Sequence, residues 1–173
     1  MIFYPDAHCD SVYNIPFKKL YDMGYRGVIF DIDNTIVKHG YPADIRAVAL
    51  FNTLRHMGFK TCIISNNKQK RVVSFAKDVK SMAVWKANKP LKRGYLLACR
   101  LMKTNKDNTL FVGDQLFTDV WGAKICGVKS ILVDPIDKKE EIQIVLKRYL
   151  EKPILFFYNR HGRNFWEERT GID

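Results

Sequence analysis

Gly27-Val28-Ile29-Phe30-Asp31-Ile32-Asp33-Asn34-Thr35 is the stretch on which the fold turns. A short apolar run enters directly into two carboxylates, an amide and a hydroxyl. A run of that length, bounded by polar residues, reads as a strand buried on both faces. Such strands belong to parallel sheets with helices packed on either side. In open sheets of this kind ligands bind beyond the carboxyl ends of the strands, where the strand order switches. The polar residues after the run are therefore the first place to look for chemistry.

Working outward, four more apolar runs repeat the pattern: Lys60 to Ile64, Met82 to Trp85, Thr109 to Gly113 and Lys129 to Val133. Between them lie segments with helical spacing. Pro42 to Met57 carries Ile45, Val48, Leu50 and Leu54, and Gly58 follows as a helix stop. Lys68 to Asp78 forms a second helix. Pro90 is expected at the first turn of a third. Phe117 to Cys126, stopped by Gly127, and Lys138 to Leu150 complete the set. The expectation is an α/β, three-layer Rossmann-like fold with a five-stranded parallel sheet. It covers one domain over residues 1–150. Residues 1–24 are an N-terminal extension packed on it, with a short helix from Pro16 to Met23, and residues 151–173 are a basic, aromatic tail.

A chain of 173 residues, 47% hydrophobic, can bury one sizeable core. No apolar run approaches the ~20 residues that span a bilayer, and the first residues lack the pattern of a secretory signal. The four cysteines are scattered without a paired motif, which fits a reduced, cytoplasmic protein and disfavours a zinc site. Net charge is +11, and between Lys60 and Lys106 the only acidic residue is Asp78. That field favours anionic partners: phosphates, nucleic acid or an acidic membrane surface. Solvated helix faces would give the same composition.

The strand ends carry the functional signal. Asp31 and Asp33, two residues apart on an extended chain, point the same way. Two carboxylates that close need a cation between them, or one keeps a proton. Ser65-Asn66-Asn67 offers a hydroxyl, amides and helix-opening N–H groups that suit phosphate oxygens, although the same residues also make ordinary helix caps. Lys89 leads into a helix and can neutralise a transferring phosphoryl group. Asp114 stands at the tip of a strand and Asp119 a turn later; such hard oxygen ligands suit Mg²⁺. Each signal is weak alone. Their recurrence at four successive strand ends in a basic chain is not.

Taken in order, Asp31-Ile32-Asp33-Asn34-Thr35, Ser65-Asn66-Asn67, Lys89-Pro90 and Gly113-Asp114-Gln115 through Thr118-Asp119 resemble the four motifs of the haloacid dehalogenase (HAD) superfamily. The wording is similar to subfamily IIIA and to its bacterial YqeG-type phosphatases, relatives of the mitochondrial phosphatidylglycerophosphatase. The resemblance covers residues 10 to 150. It implies catalysis by Asp31 and Asp33, as nucleophile and acid/base. It also implies phosphate binding by Ser65, Asn66 and Lys89, and Mg²⁺ held by Asp31, the backbone carbonyl of Asp33, Asp114 and Asp119.

The short connections after Asp33 and after Phe75 leave no room for an inserted cap. A capless site admits a phosphate on a large molecule. Phosphatidylglycerophosphate is the expected substrate, with peripheral contact to an anionic membrane through basic and aromatic residues. Nucleic-acid ends or a phosphoprotein are an alternative, with nucleic acid less favoured as a partner. A non-enzymatic, receiver-like phosphoacceptor is another, and Asp33 separates the two because acceptance alone requires no acid/base. Nothing in the sequence marks an oligomeric state.

Overall fold

The computed structural model describes residues 3–137, 149–156, 158 and 164–167. Six parallel strands form one sheet: β1 (Ala7–Cys9), β2 (Gly27–Phe30), β3 (Lys60–Ile64), β4 (Met82–Val84), β5 (Thr109–Gly113) and β6 (Lys129–Val133), in the order β1-β6-β5-β2-β3-β4. The chain runs outward from β2 through β3 to β4, then returns to the other side of β2 for β5 and β6. The switch in strand order thus falls between β2 and β5, which pair directly from Gly27↔Thr109 to Phe30↔Val112.

Helices α1 (Phe17–Asp22), α2 (Ile45–Met57) and α3 (Gln69–Val79) cover one face; α4 (Lys92–Met102) and α5 (Trp121–Cys126) cover the other. Alternation along β2 explains why its run is unbroken. Val28 and Phe30 point into the core shared with α1, α2 and α3, while Ile29 points into the core beneath α4 and α5. All three are fully buried. Burying a side chain of this size contributes about 1.5–3 kcal/mol, and a slip by one residue would exchange the two faces. The register that puts Asp31 at the switch point is therefore held by packing on both sides.

Three expectations change. The sheet has six strands, not five: Ala7–Cys9 adds an edge strand on β6, in register Ala7↔Ile131 to Cys9↔Val133. Three residues with one apolar side chain fully inside carry no readable period; the strand exists because the edge of β6 offers ladder partners. Pro90 does not open α4. It follows a cis peptide bond, and the helix begins at Lys92 with Leu91 as its cap. The helix expected from Phe117 begins instead as a π-helical turn, Leu116–Val120, that continues into α5.

The expected helix from Lys138 lies mostly outside the described residues. Residues 149–156 are helical, and Ile154 and Leu155 pack against the cluster of Leu116, Val120 and Leu132. Buried Glu151 accepts a 2.8 Å hydrogen bond from the Leu116 amide. Farther along, Asn164 Oδ1 accepts from the His8 amide at 2.8 Å, and Trp166 is buried in the core around α1 and α2.

Candidate active site

Asp31 follows β2 directly, and its amide donates to the Val112 carbonyl of β5 at 3.0 Å. Asp114 follows β5. Asp119 sits on the π-helical turn, whose wider winding turns its carboxylate back toward the strand tip. One oxygen from each of Asp31, Asp114 and Asp119 lies within 4.8 Å of the others, and all three residues are buried. Gly113 makes this possible: a Cβ there would overlap the Asp119 carboxylate. On the far side, the Tyr95 hydroxyl donates to the Thr118 carbonyl at 2.8 Å and braces the turn.

Lys89 enters the cluster from the β4–α4 connection. Its ammonium lies 2.7 Å from Asp31 Oδ1 and 2.6 Å from Asp119 Oδ1. Burial pushes the Asp31 carboxyl up to about 7; Lys89 pulls it down, while Asp119 and Asp33 push with burial. Burial works against the charge on Lys89, but Asp119 and Asp31 outweigh it and hold the ammonium above its ordinary value. Three carboxylates against one ammonium leave two negative charges in a buried space. A divalent cation cancels both, and an all-oxygen donor set suits a hard one. Thr35 Oγ1 donates to Asp114 Oδ1 at 3.1 Å, and the Gln115 amide donates to Asp119 Oδ2 at 3.1 Å. Such outer partners orient metal-binding carboxylates.

The cluster opens into a cleft of about 220 Å³ lined by residues including Asp31, Asp33, Ser65, Asn67, Lys89 and Gln115. Ser65 is buried after β3. Its hydroxyl accepts from the Asn67 amide at 3.2 Å, leaving the O–H free to donate into the cleft. Asn66 lines the cleft but its amide is engaged by the Lys89 backbone: Oδ1 accepts from the Lys89 N–H at 2.7 Å and Nδ2 donates to the Lys89 carbonyl at 3.3 Å. It braces the lysine loop. The Asp33 side chain stands outside the triad. Oδ1 accepts from the Gly40 amide (2.8 Å) and from Arg71 (3.0 Å), and Oδ2 accepts from Asn67 Nδ2 (2.7 Å). A larger hollow, about 660 Å³, lies beyond the 34–44 connection around Tyr13, Tyr41 and Asp134. It contains none of the triad.

Of the residues singled out in the sequence, the fold brings Asp31, Lys89, Asp114 and Asp119 together, while the Asp33 carboxylate and the Asn66 amide are engaged elsewhere. Sequence reasoning missed Arg71, Thr35 as an orienting partner, and Tyr95. In the sequence Arg71 is one of many cations between Lys60 and Lys106, and nothing sets Tyr95 apart from other aromatic residues.

Comparison with known proteins places the chain in a family of hydrolases. A family profile for haloacid dehalogenase-like hydrolases matches residues 44–127. The chain is 34% identical over 167 residues to the Bacillus subtilis (strain 168) protein called "Probable phosphatase YqeG", covering 96% of this chain and 97% of that one. Two solved structures share the fold. An uncharacterized protein from Listeria monocytogenes serotype 4b aligns with TM-score 0.52 and 14% identity over 72% of this chain and 99% of its own. A hypothetical protein from Xanthomonas campestris aligns with TM-score 0.53 and 15% identity over 83% and 79%.

Proposed function

This chain belongs to the haloacid dehalogenase-like hydrolases and is a phosphatase, and on that premise we propose that it hydrolyses a phosphomonoester through an aspartyl-phosphate on Asp31. One observation carries the proposal: three carboxylates and Lys89 meet at the switch point of the sheet, at the floor of an open cleft. Asp31 Oδ bonds to phosphorus as the bond to the leaving oxygen breaks, and Asp33 gives that oxygen a proton. Asp33 then takes a proton from water as the water oxygen bonds to phosphorus. The acyl-phosphate bond breaks and Asp31 is restored. Lys89 and the Ser65 hydroxyl hold phosphoryl oxygens. Asp31, Asp114 and Asp119, with the backbone carbonyl of Asp33, are the residues to hold Mg²⁺. When bound, that ion offsets charge on the phosphoryl group. Asn66 acts through the Lys89 loop it braces.

The substrate we propose is a phosphorylated anionic lipid such as phosphatidylglycerophosphate. Among the described residues no cap covers the cleft: residues 31–44 join β2 to α2 directly, and residues 80–91 between α3 and α4 hold only β4 and short connections. Beside it runs a groove lined by Lys68, Lys70, Lys86 and the half-exposed Trp85. It borders the cleft through Asn67, whose carbonyl accepts from the Lys86 amide at 3.2 Å. Lysines with an indole suit an anionic lipid interface. No helix among the described residues is long and apolar enough to cross a membrane, so contact would be peripheral. The test is phosphate release with Mg²⁺ from phosphatidylglycerophosphate in mixed micelles, beside p-nitrophenyl phosphate and a 5′-phosphorylated oligonucleotide. We expect the lipid to give the highest kcat/KM. A lipid rate no better than the aryl phosphate, or below the oligonucleotide, overturns the lipid assignment.

A further inference from the structure

We propose that Arg71 is a positioning residue for Asp33, filling one oxygen of its carboxyl so that the other is the one that exchanges the proton. This rests on the reading of Asp33 as acid/base and adds the means by which the carboxyl is aimed. A carboxylate oxygen accepts along two lone-pair directions. Asp33 Oδ1 takes two donors, the Gly40 amide at 2.8 Å and Arg71 Nη2 at 3.0 Å. Oδ2 takes one, Asn67 Nδ2 at 2.7 Å. A proton on Oδ1 would have to displace a donor; on Oδ2 it finds an open lone pair.

Arg71 is suited to hold this geometry. It projects from the first turn of α3, and its guanidinium lies 5.4 Å from the ring centroid of buried Phe75, one turn along. Its side chain is 22% exposed and that of Asp33 12%, so the pair is largely shielded from water. It also joins two walls of the cleft. Gly40 lies in the 31–44 connection, which contributes Asn34 and His39 to the lining, and Arg71 ties that connection, through Asp33, to α3.

The inference separates from a merely structural role by leaving group. An alkoxide needs the acid's proton; 2,4-dinitrophenolate does not. The value of kcat/KM reports only steps up to phosphoryl transfer onto Asp31, so the later use of Asp33 as base does not enter. For Arg71→Met we expect kcat/KM on glycerol 3-phosphate to fall about tenfold or more, since a positioned acid contributes ~10²–10⁴. On 2,4-dinitrophenyl phosphate we expect it to change less than about threefold. Arg71→Lys should recover part of the loss, as should guanidinium ion added to Arg71→Met. An equal loss on both substrates, or none on either, overturns the inference. If Arg71→Met does not fold, Arg71→Lys carries the test alone: a smaller loss confined to glycerol 3-phosphate supports the role, and a uniform one overturns it. Asp33→Asn, run beside them, identifies which statement has failed. If it keeps kcat/KM on glycerol 3-phosphate, the acid/base reading falls and this inference with it. If it loses that activity while the Arg71 variants show no selectivity, only this inference falls.

Discussion

Asp31 and Asp6 stand at opposite ends of the same parallel sheet, both largely shielded from solvent, and their surroundings are opposite in charge. Asp6 precedes β1. Lys124 lies 2.7 Å from it and Lys129 3.1 Å, and the Ser130 amide and hydroxyl donate to it at 2.9 and 3.1 Å. Burial alone would raise its pKa, but Lys124, the Ser130 amide and Lys129 together hold it below the ordinary carboxylate value. Asp31 shares one ammonium with Asp119 and faces further carboxylates, and its pKa is driven upward. The first region is a satisfied anchor that ties the N-terminal segment to β6. The second is left with excess negative charge, which a divalent cation would offset. Strained electrostatics of this sort is where function concentrates.

The largest way to break the comparison is at the nucleophile. Asp31→Asn should lower kcat by on the order of 10⁴-fold or more, as loss of a covalent nucleophile does elsewhere; steady-state phosphate release measures it. Asp6→Asn in the same assay should stay within about twofold of the parent. If both variants lose activity alike, the division between anchor and reaction centre fails.

Gly113→Ala is expected next. The added methyl meets the Asp119 carboxylate, so divalent-ion affinity should fall about 10–100-fold, the range for disturbed support of a metal site. Titration calorimetry with Mg²⁺ reads this directly. Unchanged affinity would remove Asp119 from the ion's surroundings.

Chelation sharpens the contrast through stability. Returning Mg²⁺ at about a hundred times its dissociation constant should stabilise the fold by ~2.7 kcal/mol. A thermal melt should show the gain in the parent and a smaller one in Asp31→Asn. Absence of any shift in the parent would exclude a cation at the triad.

The smallest effects have opposite signs in pH. The folded pKa of Asp6 lies below its unfolded value of 3.8. Its contribution is present above 3.8 and lost as pH falls through the folded pKa. Asp6→Asn should therefore cost about 1–3 kcal/mol at neutral pH and little in acid. The folded pKa of Asp31, about 7, lies above its unfolded 3.8. Its contribution is present below 3.8 and lost as pH rises to about 7. In chelator, melting temperature should decline over that interval for the parent and decline less for Asp31→Asn. A parallel decline in both would assign the pH dependence to other groups.

Much of this was legible in the chain. The β2 run, the Thr109–Gly113 run and their polar ends announced a buried parallel sheet with chemistry at its carboxyl edge, because such a strand must be apolar throughout and its reactive residues must follow it. The edge strand Ala7–Cys9 was not legible, since its existence depends on an available ladder partner 124 residues away. Nor was the role of Arg71. In sequence it is a lysine-like charge on a basic helix; only folding brings it within 3.0 Å of a carboxylate 38 positions earlier.

What the sequence determined by itself was the inventory: which strands are buried, which strand ends carry carboxylate, hydroxyl and ammonium, and hence phosphoryl chemistry. Tertiary structure decided the pairing. It assigned Asp114 and Asp119 to Asp31, gave Lys89 to both Asp31 and Asp119, and set Asp33 apart with Arg71, Asn67 and Gly40. The reason is range. Periodicity and turn chemistry act over a few residues and survive in a linear reading, whereas Coulomb forces and hydrogen bonds act over a few ångströms between groups that only the folded chain brings together.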